Sequence, residues 1–459
     1  MTLARRLAAK VAALRTAPLP APLLARAHDL LLDHIGVALG GVGEDSSVAL
    51  RAGLATLGLR GDATVVGTDV RLPAPQAALA NGAAAHALEM DDTHRGGSIH
   101  LGASVFPAAL AAAELADASG ETVLRAAIAG YEVAGRLAMA VGPAAHYRRG
   151  FHPTGTCGAF GAAAAAGLVL GLDEEQLTDA LGVAGSQAAG SMEFLADGTW
   201  TKRLHPGWAA CAGLHAAALA RAGFKAPHTI VEGRFGFLTG YSDAPDADAV
   251  SAEGPPALLD TSIKPHACCR YMQGPIDVVL RLRAEHRVAP ADVDRIEVGM
   301  LDAAFPIVCD PVGAKRRPTS VVDAQFSLPF GVAIALVSGR ASPEEFVLSR
   351  LEDPEVRGLM DRVSAVRDAA LDAVYPRTWP AWVRLVLRDG RQLTADVTHP
   401  RGDPENFPSR DELAQKFLAL AGRTLPQAQC DRVLAHAEAV GMAPRIAPLM
   451  ASATLPSTQ

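Results

Sequence analysis

From Leu23 to Gly223 the chain alternates long apolar stretches with short polar clusters. Leu24, His28, Leu31, Ile35 and Ala38 recur at helical spacing, which predicts a helix over about Leu23–Val42 that Gly40 and Gly41 end. A shorter helix is predicted over Ser46–Leu57, then a β-like segment over Asp62–Val70. Pro73–Met90 and Ala103–Ala118 are apolar on almost every face, the pattern of helices buried all round. Further helices are predicted over Glu121–Val141, from a Thr154 cap to Leu170, over Asp173–Ala189 and over His205–Gly223, with Asp197-Gly198 as a turn. Ahead of them, MTLARRLAAKVAALR reads as an amphipathic helix stopped by Pro18 and Pro20.

Around Thr261 the texture changes. TSIKPHACCRYMQGPIDVVLRLRAEHRV starts extended and turns helical, Val293–Met300 alternates as a strand, and alternating runs Trp382–Leu387 and Gln392–Val397 flank the hairpin signal Asp389-Gly390. Helices are predicted between them over Val322–Ser338 and Pro343–Leu359. Ser409–Ala439 returns to helix. The expected fold class is mainly α: a large all-helical domain from residues 1–263 and 399–459, and a smaller α+β domain from 264–398.

Composition narrows the function classes. At 459 residues the length allows roughly three domains of ordinary size, and 49% hydrophobic with 20% charged residues describes a packed globular chain. Aromatics are only 5% and alanine is abundant, favouring close-packed helices. A net charge of −7 argues against a nucleic-acid partner held by a global positive field. An anionic ligand would need a local cationic pocket. No stretch of eighteen uncharged apolar residues predicts a membrane span, and Lys10 and Arg15 break any signal-peptide core. The six cysteines lack C-x-x-C spacing and read as reduced thiols, with the cytoplasm as expected location.

The chemistry concentrates in HALEMDDTHRGGSIHLGASVFP, residues 86–107. Three histidines (His86, His94, His100), three carboxylates (Glu89, Asp91, Asp92) and the Thr93 hydroxyl lie there between two core helices. Acid/base groups in that setting point to a lined pocket. His152 precedes a small-residue helix, whose N-terminus attracts anions, and Lys202, Arg203 and His205 cluster at the start of another.

HALEMDDTH with a following H-x-G, GFHPTGTCG, DGTWTKRLHPGWAA, IKPHACCRYMQGPID, AQFSLPF and HPRGDPENFPSRDELAQKF, in that order from about Leu23 to Lys416, resemble the MmgE/PrpD family. The resemblance implies a helical domain built from both chain ends, an α+β lid domain, a homodimer and an active site at the domain junction. It implies chemistry without cofactor or metal on a small di- or tricarboxylate, by proton transfer at a carbon beside a carboxylate. It places pocket residues at Glu89, Thr93, His100, His152, Lys202 and Lys264. On this reading Lys202 and Lys264 clamp carboxylates, with Arg270 and Tyr271 beside them, His100 and His152 move the proton, and Asp91, Asp92 and Arg270 orient these groups. The expected net reaction is dehydration like that of 2-methylcitrate, with epimerisation or decarboxylation as the alternative. Glu89 stands where relatives often have Asp, Gln273 where many have His, and Cys269 where decarboxylase-type relatives carry a histidine.

Each residue also has a purely structural reading. Thr93 can cap a helix, Asp91 and Asp92 can form a solvated helix end, and His86 and His205 read as hydrogen-bonded structural histidines. Adjacent Cys268 and Cys269 read as buried small residues, and Lys315, Arg316 and Arg317 as a solvated loop. Two other classes stand beside the carboxylate enzyme. One is a metal-dependent helical hydrolase using His86, Asp91, Asp92, His94 and His100, whose spacing matches no H-E-x-x-H pattern; the other is a binding-only relative. An iron–sulphur dehydratase is disfavoured, because Cys157, Cys211 and Cys309 lack cluster spacing.

Overall fold

The computed structural model describes residues 1–455; the last four positions of the predicted helical domain lie outside them. The chain divides into two compact units. One comprises Met1–Met192, Thr201–Thr261 and the chain from Ser409 onward, the other Glu193–Trp200 and Ser262–Pro408.

The first unit is helical: α1 (Leu3–Leu14), α2 (Ala21–Gly41), α3 (Asp45–Thr56), α4 (Ala74–His86), α5 (Gly102–Ala116), α6 (Gly120–Val141), α7 (Pro143–Arg148), α8 (Pro153–Val169), α9 (Glu174–Gln187) and α10 (Thr201–Arg221). The short helix Phe237–Tyr241 and helices Arg410–Ala421, Gln427–Glu438 and Ala447–Ser452 also belong to it, Arg410–Ala421 packed on α2. Every residue of α8 is buried. Its glycines and alanines leave no polar stripe, so it forms the centre, with α5, α6, α9 and α10 around it.

Small residues also set how closely α4 and α10 cross. A Cβ on Gly82 would come 2.7 Å from Gly207 Cα, and one on Gly207 would come 2.2 Å from Leu79 O. Two glycines facing each other let the backbones meet. His86, one turn beyond Gly82, is thereby brought against Lys202, just over a turn before Gly207.

The second unit carries a four-stranded sheet in the order Val363–Arg367, Val293–Met300, Ala381–Leu387, Gln392–Val397. The first pair is parallel and the others antiparallel. Gly390, at φ +89°, makes the hairpin turn. Helix Gln273–His286 packs on two of these strands and on Leu328–Ser338.

Several predicted elements differ in detail. The Pro73–Met90 helix stops at His86, and the next residues form the site loop. Asp62–Val70 contains only a short strand, Ala63–Thr64, paired with Arg71–Leu72. Val322–Ser338 is two helices, because Ser327 accepts the Phe330 N–H and starts a new one. Pro343–Leu359 holds only the short helices Leu348–Leu351 and Pro354–Met360. All six cysteines are buried without a disulfide. Among the described residues no helix is long and apolar enough to cross a membrane.

Candidate active site

His86 ends α4 and Lys202 lies in the first turn of α10. Glu89 follows in the loop at φ +55°, a left-handed conformation that costs a non-glycine residue about 1 kcal/mol and is kept where surroundings demand it. That turn aims the Glu89 carboxylate at the Lys202 ammonium, with which it forms a buried ion pair. Lys202 Nζ also donates to His86 Nε2 at 2.9 Å. On the far side of the ring, His86 Nδ1–H donates to Asp91 Oδ2 at 2.7 Å. Carboxylate and ammonium together settle the tautomer: neutral, with the proton on Nδ1. Burial, reinforced by Lys202, holds the His86 pKa below its ordinary value.

His100 is held from the opposite side. Its Nδ1–H donates to Asp92 O at 2.9 Å, with Thr93 Oγ1 at 3.2 Å and Asp91 Oδ2 at 3.3 Å. A carbonyl cannot donate, so neutral His100 carries its acceptor on Nε2. The His100 N–H donates to Thr154 Oγ1 at 3.1 Å. Thr154 is therefore not the predicted cap of α8; His152 occupies that position and makes no side-chain cap bond.

The Asp92 carboxylate accepts from Gly102 N–H at 2.8 Å, satisfying the start of α5, and from the Tyr131 hydroxyl. A Cβ on Gly102 would meet Tyr131 Oη at 2.7 Å and Asp92 Oδ2 at 2.9 Å, so only glycine admits this arrangement. Burial pushes Asp92 up to about 7, against the pull of those two hydrogen bonds.

His152 is fixed by its N–H to Gly190 O at 3.0 Å. Its Nδ1 lies 3.0 Å from His205 Nδ1. Ring centroids of His86 and His100 are 4.7 Å apart, His86 and His152 5.9 Å, and His100 and His152 6.1 Å. Burial first, then His205, Lys202, His86 and His100, hold the His152 pKa well below 6.5. Below the site loop, Lys416 pairs with buried Asp33 at 2.6 Å and donates to Met90 O at 2.8 Å.

One set of ring nitrogens from His86, His100 and His152 lies within 4.8 Å of one another, close enough for a metal ion. The Lys202 ammonium, however, already donates to His86 Nε2, and a divalent cation there would face it at contact distance. The arrangement suits an anion better. The predicted five-residue metal set does not assemble: His94 accepts from Gly97 N–H at 3.0 Å and lies 3.7 Å from Asp260.

Glu89, Asp91, Asp92, Thr93, His100, His152 and Lys202 thus form one cluster in the first unit. Lys264, Arg270 and Tyr271 belong to the second. There Lys264 is fully buried, and Arg270 forms an ion pair with buried Asp403, which also accepts from Ser262 Oγ at 2.6 Å. Tyr271 stacks on Trp379 at 4.4 Å and its hydroxyl lies 3.1 Å from that of Tyr375. Gln273 ties down the loop before it, accepting from His266 N–H and donating to the carbonyls of His266 and Cys268. His86 and His205 are hydrogen-bonded, as expected of structural histidines, yet their partners are cluster members. His205 carries a usable signal, lying three residues from Lys202 on the same side of α10; His86 ends α4 and Glu89 lies beyond it in the loop, so helical spacing does not point to that pair.

Residues 5–249 match the MmgE/PrpD N-terminal domain model and residues 266–439 the MmgE/PrpD C-terminal domain model. A cis-aconitate decarboxylase of Aspergillus terreus is 29% identical over 443 residues, covering 92% of this chain and 89% of its own length. Cis-aconitate decarboxylases of Mus musculus and Homo sapiens are 27% and 28% identical, covering 88% and 78% of this chain and 83% and 74% of their own lengths.

Proposed function

The chain belongs to the MmgE/PrpD family and is an enzyme of its lyase type, and from that premise we propose that it removes a carboxylate as carbon dioxide from a small unsaturated tricarboxylate of the cis-aconitate class. The observation that carries this reading is the buried Lys202 ammonium, braced by Glu89 and His86 and faced by the His100 and His152 rings. A fixed cation removed from water attracts a substrate carboxylate far more strongly than one in solvent. Thr93 and neutral imidazoles add hydrogen bonds without adding negative charge.

In the proposed reaction the carbon–carboxylate bond breaks and its electron pair moves into the unsaturated system, which Lys202 stabilises through the remaining carboxylates. His152 delivers a proton to the carbon that receives the pair. His100, with its acceptor on Nε2, sits across the cluster and orients the substrate or takes a proton in the reverse sense. Asp91 sets the His86 and His100 rings, the Asp92 carbonyl holds His100, and neither residue touches substrate.

Dehydration of a hydroxy-tricarboxylate such as 2-methylcitrate is the second reading, favoured by Cys269 in place of the decarboxylase-type histidine. Proton NMR of the purified protein incubated separately with cis-aconitate and 2-methylcitrate tests both. The decarboxylation reading expects loss of cis-aconitate with carbon dioxide release. Turnover of 2-methylcitrate alone, with water eliminated and all carbons retained, would overturn it in favour of dehydration.

A further inference from the structure

We infer that His205 is a proton relay for His152, passing a proton through their Nδ1···Nδ1 hydrogen bond so that His152 exchanges a proton at Nε2 without becoming charged. This rests on the proposal that His152 protonates the substrate carbon.

Two ring nitrogens 3.0 Å apart need one N–H and one lone pair between them, so the rings hold complementary tautomers. When His205 is the donor, His152 carries its proton on Nε2 and faces substrate as an acid. When His152 is the donor, its Nε2 holds a lone pair and it is a base. Moving the shared proton interconverts the two forms at constant charge.

The surroundings make such a device necessary. His152 is 1% exposed, and the groups facing it are His86 from α4, His100 from the loop before α5, and Lys202 and His205 from α10. None offers a negative charge, and an imidazolium among them would be buried beside an ammonium. Those facing His205 are His86 and Lys202, along with His152 itself.

The step balances. As the carbon–carboxylate bond breaks, carbon takes the proton from His152 Nε2, His152 Nδ1 takes the proton from His205 Nδ1, and His205 Nε2 takes one from water. His205 is 7% exposed, against 1% for His152, so it is the member nearer solvent. After product leaves, water in the emptied site protonates His152 Nε2, the shared proton returns from His152 Nδ1 to His205 Nδ1, and His205 Nε2 releases its proton, restoring the starting tautomers. Each carbon dioxide lost therefore consumes one solvent proton. Elimination of water consumes none, so the relay serves decarboxylation in particular. His205 acts through His152 and is a positioning and relay residue.

The test compares His205→Ala and His205→Gln with the parent, measuring kcat and KM for cis-aconitate with and without added imidazole and checking folding by circular dichroism. Gln can keep a hydrogen bond to His152 Nδ1 but cannot pass a proton through itself. The relay predicts that both variants lose about 100-fold in kcat with KM nearly unchanged, and that imidazole restores part of the rate of His205→Ala. A folded His205→Gln with parental kcat would overturn the relay and leave only ring positioning; if His205→Ala does not fold, His205→Gln decides alone. A parent inert toward every tricarboxylate would overturn the functional reading itself and the relay with it.

Discussion

Among single residues, the charge balance of the site turns on Lys202 and Glu89, both nearly buried and paired with each other. Removing one partner of such a pair strands the other charge, at about 3–5 kcal/mol. Lys202→Met should therefore lower stability by about that amount and lower kcat/KM by at least about 100-fold. The double variant Lys202→Met/Glu89→Gln should recover most of the stability and none of the turnover, as urea unfolding and steady-state kinetics would show. A Lys202→Met protein as stable as the parent would contradict the buried pair. At this scale the sequence showed residue types better than partners. Lys202, His100 and His152 stood out as polar groups at the ends of apolar helices. The local pattern makes Thr154 a helix cap, whereas its partner, the His100 N–H, comes from 54 residues earlier in the chain.

For the elements, the crossing of α4 and α10 places His86 against Lys202, and it depends on Gly82 and Gly207. A methyl group on Gly207 would lie 2.2 Å from Leu79 O and 2.9 Å from Ala83 N, both backbone atoms that cannot swing aside. Gly207→Ala should separate the helices, cost about 1–3 kcal/mol, and lower kcat/KM by more than the unfolded fraction explains. Equal stability and activity in variant and parent would show that the crossing does not depend on it. Strong periodicity made elements legible: Val293–Met300 was predicted to the residue, and α6 within one residue at its start. Boundaries set by a single side chain were not legible. The apolar run Val322–Ser338 looks continuous, and the break at Ser327 arises from a hydroxyl choosing a backbone partner. The meeting of two glycines from segments over a hundred residues apart leaves no periodic trace at all.

In the whole molecule, the many buried histidines couple stability to pH. Burial holds His34 at about 3, His94 at about 4, His146 at about 4 and His205 at about 3. Their folded-state values lie below the unfolded value of about 6.5, so their contribution is complete above that pH and is lost as pH falls toward 4. Asp92, raised to about 7, has the opposite sign: its contribution is present below about 4 and is lost as pH rises through 7. Burial lowers His28, His86 and His152 as well and raises Asp29 and Glu114, so seven histidines stand against three acids and decide the direction below pH 6. The urea midpoint should be lower at pH 5 than at pH 7.5, and His94→Asn, which keeps an acceptor for Gly97 N–H, should narrow the gap. Equal midpoints at the two pH values in the parent would contradict this. The mainly helical character was legible in the alanine-rich apolar runs, and the change of texture at Thr261 falls at a boundary of the compact units. The measurement that bears most directly on the central claim, proton transfer by an ammonium and imidazole cluster, is turnover of cis-aconitate by the chelator-treated enzyme in D₂O, followed by proton NMR. The account predicts the same turnover as untreated enzyme in D₂O, with one deuteron on the newly protonated carbon of each product molecule. Turnover that disappears on chelation and returns only with a divalent metal would contradict it.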